Sequence, residues 1–214
     1  MEQYLNVGTE QSPAFDGGTL LEFGPAGSKD PIDVGYRATV AVTDWDHNGV
    51  QDLLLGAYDG KFHLYLNTGT NAAPDFLEET ILEGPGGPLI APSWRSSPVV
   101  MDLDGDGRKD LLAGNTDGQI LLYRNQGTDN TPSFSAYHDV TADGVAIDLP
   151  GSPRSRPSVA DWTGDGLPDL LVGAGDGKVH LFQSVPEPAS FVLLATAGIG
   201  VLSWHIRRRG RHRA

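Results

Sequence analysis

DWDHNGVQDLLLG, at residues 44–56, returns as DLDGDGRKDLLAG at residues 102–114 and as DWTGDGLPDLLVG at residues 161–173. The copies are spaced 58 and 59 residues apart, and their surroundings keep phase. Arg37, Arg95 and Arg154 each stand seven positions before the first aspartate, and Asp59-Gly60, Asp117-Gly118 and Asp176-Gly177 each follow the last glycine. Three in-phase copies at such a period mark a repeat architecture, in which each copy is one supersecondary unit that buries its apolar faces against its neighbours.

Within a copy the apolar runs are short. Residues 39–42 and 98–101 read as a first strand, and the runs beginning at Asp52, Asp110 and Asp169 as a second. The Asp-Gly dipeptides predict tight hairpin turns, because a two-residue turn asks for positive φ at both centres. A third strand then returns at residues 61–66, 119–123 and 178–182, and a fourth is expected around residues 76–82 and 134–137. The sum is all-β: a β-propeller of four-stranded antiparallel blades, three of them present.

The segment YLNVGTEQSPAF at residues 4–15 matches YLNTGTNAAPDF at 65–76 and YRNQGTDNTPSF at 123–134, so the chain starts partway through a copy. Residues 14–23 are therefore expected to supply a strand that completes the third sheet. Closed propellers usually need four to eight blades. Three imply an open arc, pairing between chains, or missing upstream blades, and the last is favoured. Residues 1–8 (MEQYLNVG) carry neither the basic nor the apolar region of a signal peptide, which points the same way.

Composition narrows the function. The 214 residues hold 28 acids against 15 Lys and Arg, net −13, with 28 Gly, 15 Pro and no Cys. Gly and Pro at that level suit strands and turns, a strongly acidic chain is a poor nucleic-acid binder, and the lack of Cys rules out disulfides and thiolate zinc sites. The charge is segregated, with one acid and five arginines in residues 186–214 and the acidic excess before them. Two segments are therefore expected, repeats at 1–185 and a tail at 186–214.

The acids cluster in loops. Asp44, Asp46, Asn48 and Asp52 stand at positions 1, 3, 5 and 9 of the first, Asp102, Asp104, Asp106 and Asp110 in the second, and Asp161, Thr163, Asp165 and Asp169 in the third. Alternate acids before a sharp turn at Gly49, Gly107 or Gly166 converge their oxygens, and a hard cation taking six to eight oxygens suits that cage. Ca2+ is expected, up to three ions, with Val50, Arg108 and Leu167 at position 7 giving backbone carbonyls. Leu55, Ala113 or Val172 stands at position 12, so the bidentate glutamate of an EF-hand is missing. Asx-turns, with the aspartates bonding only nearby backbone, are the alternative; the neutral Thr163 weakens the third site.

These loops resemble the FG-GAP/VCBS repeats of integrin-α-like β-propellers, whose blades carry D-x-D-x-D-G-x-x-D calcium loops between their first two strands. The resemblance spans residues 1–185 and implies ions that brace the blades, with ligands bound elsewhere. The tail resembles a PEP-CTERM sorting signal: Pro186-Glu187-Pro188, then residues 189–206 without acid, Lys or Arg, then Arg207, Arg208, Arg209, Arg211 and Arg213. That resemblance implies processing by an exosortase-like enzyme. A helix over the apolar run would be about 27 Å long, near the short limit for spanning a bilayer, with the arginines cytoplasmic.

His63 and His180 share a strand position and read as structural, as do Arg37, Arg95 and Arg154, which are expected to pair with loop acids or neighbouring backbone. Trp45 and Trp162 at loop position 2 read as packing between blades rather than as sugar platforms, and His47 as exposed. No catalytic motif is found. The expected function is an exported, surface-associated binding or adhesion module for matrix polysaccharide or protein, first held in the membrane by its tail. The rivals are a scaffold of a carbohydrate-active enzyme and a purely structural matrix component.

Overall fold

The computed structural model describes residues 1–149, 154–184 and the backbone of 206–208. Among these, all regular structure is β. The first sheet runs Thr39–Thr43, Asp52–Gly56, Phe62–Tyr65, Thr80–Ile81, and the second Ser97–Met101, Asp110–Gly114, Ile120–Tyr123, His138–Asp139, each in chain order and antiparallel throughout. The third contains Arg156–Ala160, Asp169–Gly173 and Val179–Ser184 in the same order.

The second strand of each unit is the reason the sheets stack. Every residue of Asp52–Gly56 and Asp110–Gly114 is buried, as a strand covered on both faces requires. Alternation then assigns the faces. Leu54 packs toward the second sheet with Leu111, Ala113, Leu121 and Tyr123, while Leu112 points the other way to Leu170, Val172 and Phe182 of the third. Leu53 and Leu55 face the amino-terminal segment, where they meet Ile32, Tyr65 and Phe76.

Glycine permits the close approach. A Cβ on Gly56 would lie 2.2 Å from the Ser96 carbonyl oxygen, and one on Gly114 2.2 Å from that of Ser155, so the next sheet passes directly over the strand end. The same serines staple the sheets: Ser96 Oγ accepts from Ala57 N–H, and Ser155 Oγ from Asn115 N–H, both at 3.0 Å. At Gly173 the nearest atom is 3.9 Å away, because no described sheet follows.

Four expectations change. The hairpin turns span residues 57–61, 115–119 and 174–178, and only Gly60, Gly118 and Gly177 have positive φ (82°, 96° and 82°). Gly60 and Gly177 N–H donate back to Ala57 and Ala174 carbonyls, so a turn without positive φ at Asp59 or Asp176 precedes the left-handed glycine in these two hairpins. The fourth strand of the second unit begins at His138 rather than Phe134, because Asn125 Oδ1 holds Gly127 and Ser133 N–H in a loop and Phe134 is spent on the core. Residues 14–23 do not complete the third sheet. Thr19–Leu20 pairs with Glu2–Gln3, in the register with which Thr80–Ile81 pairs with His63-Leu64, and the outer place on the third sheet is taken by Ile206–Arg208. The amino-terminal segment is thus the outer half of a preceding unit, lying against the first sheet through Phe23, which meets the Tyr65 ring edge-on at 5.4 Å.

The fourth change concerns the arginines. Arg37, Arg95 and Arg154 precede the innermost strands, at the end opposite the acidic loops, and none of them carries an ion pair among the described residues. The hydrophobic helix expected over residues 189–206 lies outside the described residues except at Ile206, whose backbone begins a strand. Among those described, no helix is long and apolar enough to cross a membrane.

Candidate metal centres

Each acidic loop joins the first strand to the second at the same end of the stack. Its first aspartate shapes it. Asp44 Oδ2 accepts from Gly49 N–H at 3.0 Å; Asp102 accepts from Gly105, Asp106 and Gly107 N–H at 2.8, 3.1 and 2.9 Å; Asp161 accepts from Gly164, Asp165 and Gly166 at 2.7, 3.0 and 3.0 Å. Position 5 holds position 7: Asn48, Asp106 and Asp165 accept from the N–H of Val50, Arg108 and Leu167 at 2.7, 2.9 and 2.9 Å. The glycines at position 6 have φ of 86°, 84° and 84°, so the turn needs glycine there.

The last aspartate has a different task. Asp52, Asp110 and Asp169 are buried, and each ties its loop to the end of the third strand. Asp52 accepts from Trp45 and Asn67 N–H at 2.6 and 2.7 Å, Asp110 from Leu103 and Asn125 at 3.3 and 2.8 Å, and Asp169 from Trp162, Thr163 and Ser184 at 3.0, 3.0 and 2.8 Å. Burial pushes the Asp52 carboxyl up from the ordinary range despite those bonds, with Asp46 adding repulsion; burial does the same to Asp110, helped by Asp104 and Asp106.

Carboxylate oxygens gather at two of the three loops. Asp44, Asp46 and Asp52 bring theirs within 4.8 Å of one another, and so do Asp102, Asp104 and Asp106. Asp110 stands outside the second group, and with Thr163 at its third position the last loop forms no such triad among the described residues. Cations of the chain reach only part of the second cluster: Arg124 Nη1 donates to Asp104 Oδ2 at 2.9 Å, and Arg108 pairs with Asp106. Asp44 Oδ1 and Asp104 Oδ1 are buried and have no hydrogen-bond partner. A buried carboxylate oxygen without a donor is costly, and a divalent cation is the partner that the donor set of each loop fits.

The repeats concealed one polar centre. Asp129, nearly buried, accepts from Lys109 N–H at 2.8 Å, from Lys109 Nζ at 3.1 Å and contacts His47 Nε2 at 2.6 Å, while its carbonyl accepts from Trp45 Nε1 at 2.9 Å. It locks the first acidic loop to the second sheet. The clue was its repeat mate Asn71, whose Oδ1 likewise takes the N–H of Gln51, the counterpart of Lys109. Trp45 is 1% exposed and packs on Phe134, as expected for a residue between sheets, whereas Trp162 is 63% exposed. His47 is exposed on the loop, as expected.

Comparison with known proteins agrees with this arrangement. The family profile described as FG-GAP-like repeat matches residues 44–113 and 102–172, together more than half of the chain, and the PEP-CTERM protein-sorting motif matches residues 184–209. Curated relatives include integrin alpha-4 of Xenopus laevis, 29% identical over 152 residues (65% of this chain, 14% of the relative), and integrin alpha-IIb of Mus musculus, 29% identical over 186 residues (74% and 17%). Integrin alpha-7 of Mus musculus is 27% identical over 164 residues, covering 71% of this chain and 13% of the relative. The chain therefore corresponds to about one seventh of the length of these relatives. With FG-GAP-like repeats over most of its described residues and a PEP-CTERM motif in its tail, this chain belongs to the FG-GAP repeat family.

Proposed function

We propose that residues 1–185 form an arc of calcium-braced β-propeller blades, exported and presented at the cell surface as a binding module, and that residues 186–214 are a sorting segment read by an exosortase-like enzyme. The observation that carries the metal reading is the pair of buried, unpartnered oxygens, Asp44 Oδ1 and Asp104 Oδ1, each inside a carboxylate triad. Asp44, Asp46, Asn48 and Asp52 would hold the first ion, and Asp102, Asp104, Asp106 and Asp110 the second. Asp161, Thr163, Asp165 and Asp169 would hold a weaker third, and the carbonyls of Val50, Arg108 and Leu167 would complete the sets. A bound cation supplies the positive charge that lets these carboxylates stay close together, and so fixes the loops that join each blade's inner strands.

The family and the sorting motif support a role outside the cell, the net charge of −13 disfavours nucleic acid, and matrix polysaccharide or protein is the ligand proposed. The test is retention of the purified chain on isolated extracellular matrix. Retention in calcium that is lost in chelator supports the reading; equal retention in both, or none in either, contradicts it.

A further inference from the structure

We propose that the end of the stack opposite the acidic loops is a binding site for acidic polysaccharide, in which Arg37, Arg95, Arg154 and Arg156 grip sugar carboxylates and the neighbouring aromatic rings carry the sugar faces. This deepens the binding-module reading above and rests on it.

The repeat places one arginine at the start of each innermost strand, and the stacking of those strands brings the three into one cleft with Arg156 and the hydroxyl residues Thr39 and Ser97. A groove of about 330 Å³ continues from it along Arg154, Arg156 and Lys178. The chain carries a net charge of −13 and the other arginines of the repeats, Arg108 and Arg124, pair with Asp106 and Asp104, yet these four have no ion pair among the described residues. Arg95 Nε is buried without a hydrogen-bond acceptor. Burial, and after it the charges of Arg37 and Arg154, push the Arg95 guanidinium below its usual range. An arrangement that gathers four cations without a neighbouring acid, one of them with a buried donor left unpartnered, is complementary to an anion.

The backbone holds this rim in an unfavourable conformation. Arg37, Arg95 and Arg154 have φ of 64°, 58° and 83°, and Ser93 and Trp94 have 61° and 68°. Left-handed conformations at non-glycine residues persist only where surrounding bonds impose them. Here a chain of hydrogen bonds passes from unit to unit: Tyr58 N–H to Tyr36 O at 2.9 Å, Arg95 N–H to Tyr58 O at 3.1 Å, Thr116 N–H to Trp94 O at 3.2 Å, and Arg154 N–H to Thr116 O at 2.8 Å. The described residues of this rim are thus tied together before any ligand arrives.

The same loops expose rings. Tyr36 is 81%, Trp94 61% and Tyr58 45% exposed; Tyr58 and Trp94 lie 6.0 Å apart, and the Arg95 guanidinium sits 5.3 Å from the Tyr58 ring centre. Large exposed aromatics beside unpaired arginines offer an apolar platform for the C–H face of a pyranose and a fork for its carboxylate. A neutral glycan has no carboxylate for the fork, and polyglutamate has no pyranose face for the rings.

The experiment is calorimetric titration of the full chain, in calcium, with oligogalacturonate, with neutral galactan oligomers and with polyglutamate. Oligogalacturonate is expected to bind, at least tenfold more weakly to R95Q and more weakly at raised salt, with the other two probes at least tenfold poorer. R95Q is expected to melt no lower than the parent, since it removes a like charge; if it fails to fold, the exposed R37Q and R154Q carry the same test. Unchanged binding by the R37Q/R154Q double variant, equal binding of galactan or polyglutamate, or binding that chelator abolishes and arginine variants do not, overturns the assignment. So does failure of oligogalacturonate to bind at millimolar concentration. If matrix retention persists in that last case, the binding-module reading stands and only the rim is refuted.

Discussion

Replacing Asp129 by Asn should loosen the junction between the first two sheets while leaving both cores intact. Asp129 Oδ2 takes the Lys109 ammonium and meets His47, and its Oδ1 takes Lys109 N–H. The Lys109 side chain is only 12% exposed, so it cannot recover full hydration when the charge goes; it keeps the Trp45 carbonyl at 3.1 Å and the contact with His47 Nε2 at 2.9 Å. A charged hydrogen bond contributes about 1.5–3 kcal/mol, and breaking a buried pair costs about 3–5 kcal/mol. The contacts that survive and the neutral acceptor that Asn retains place the loss at about 2–3 kcal/mol. In a domain of this size that is a fall in Tm of about 5–10 °C.

The pH dependence carries a sign. Burial by itself raises the Asp129 carboxyl, but the bonds from Lys109 and His47 outweigh it and hold the group below its ordinary value. A carboxyl lower in the folded than in the unfolded chain adds stability that is complete above about pH 4–5 and is lost as pH falls through the folded value. The gap between parent and D129N, read from urea midpoints in calcium, should be full at pH 7 and close as the solution is acidified below about pH 4. A Tm change under 1 °C, or a gap constant with pH, would refute the reasoning.

Other outcomes follow from the stacking. G56A and G114A each place a methyl 2.2 Å from a backbone oxygen of the next sheet and should cost about 1–3 kcal/mol or more, whereas G173A meets nothing closer than 3.9 Å and should melt within about 1 °C of the parent; equal effects at all three would contradict the packing. W45A should cost about 3–5 kcal/mol and W162A less than about 0.5 kcal/mol, and in W45F the quenching of the remaining fluorescence by acrylamide should rise. D104A should reduce bound calcium by one ion per chain, measured by equilibrium dialysis, with the first loop unaffected.

The repeats made most of this fold legible. Asp52–Gly56 and its two copies fall where their apolar runs place them, and the third strands agree to within a residue or two. Legibility ended where a residue's role is set by a neighbouring unit. Trp45 and Trp162 occupy the same position in their copies, yet one is enclosed and the other exposed, because only the first faces a following sheet among the described residues. Asp129 looks like part of a polar loop until the first acidic loop is folded against it. The short hairpins Glu83–Gly84 with Gly87–Pro88 and Thr141–Ala142 with Val145–Ala146 left no periodic signal, although the adjoining Leu82, Leu89, Val140 and Ile147 seal the cores between sheets. The loop aspartates were found by spacing alone. What spacing did not reveal is their division of labour, with position 1 of the first loop keeping one oxygen, Asp44 Oδ1, free to face an ion and position 9 already committed to two backbone donors.

The most direct measurement is calorimetric titration of the metal-stripped chain with CaCl2 at neutral pH, with melting recorded before and after. Two ions are expected to bind at the loops of Asp44 and Asp102 and a weaker third at Asp161, with a melting temperature that climbs with calcium because only the folded chain presents these cages. A stripped chain that takes up no calcium and melts at the same temperature with and without it would show that the loops are not metal centres.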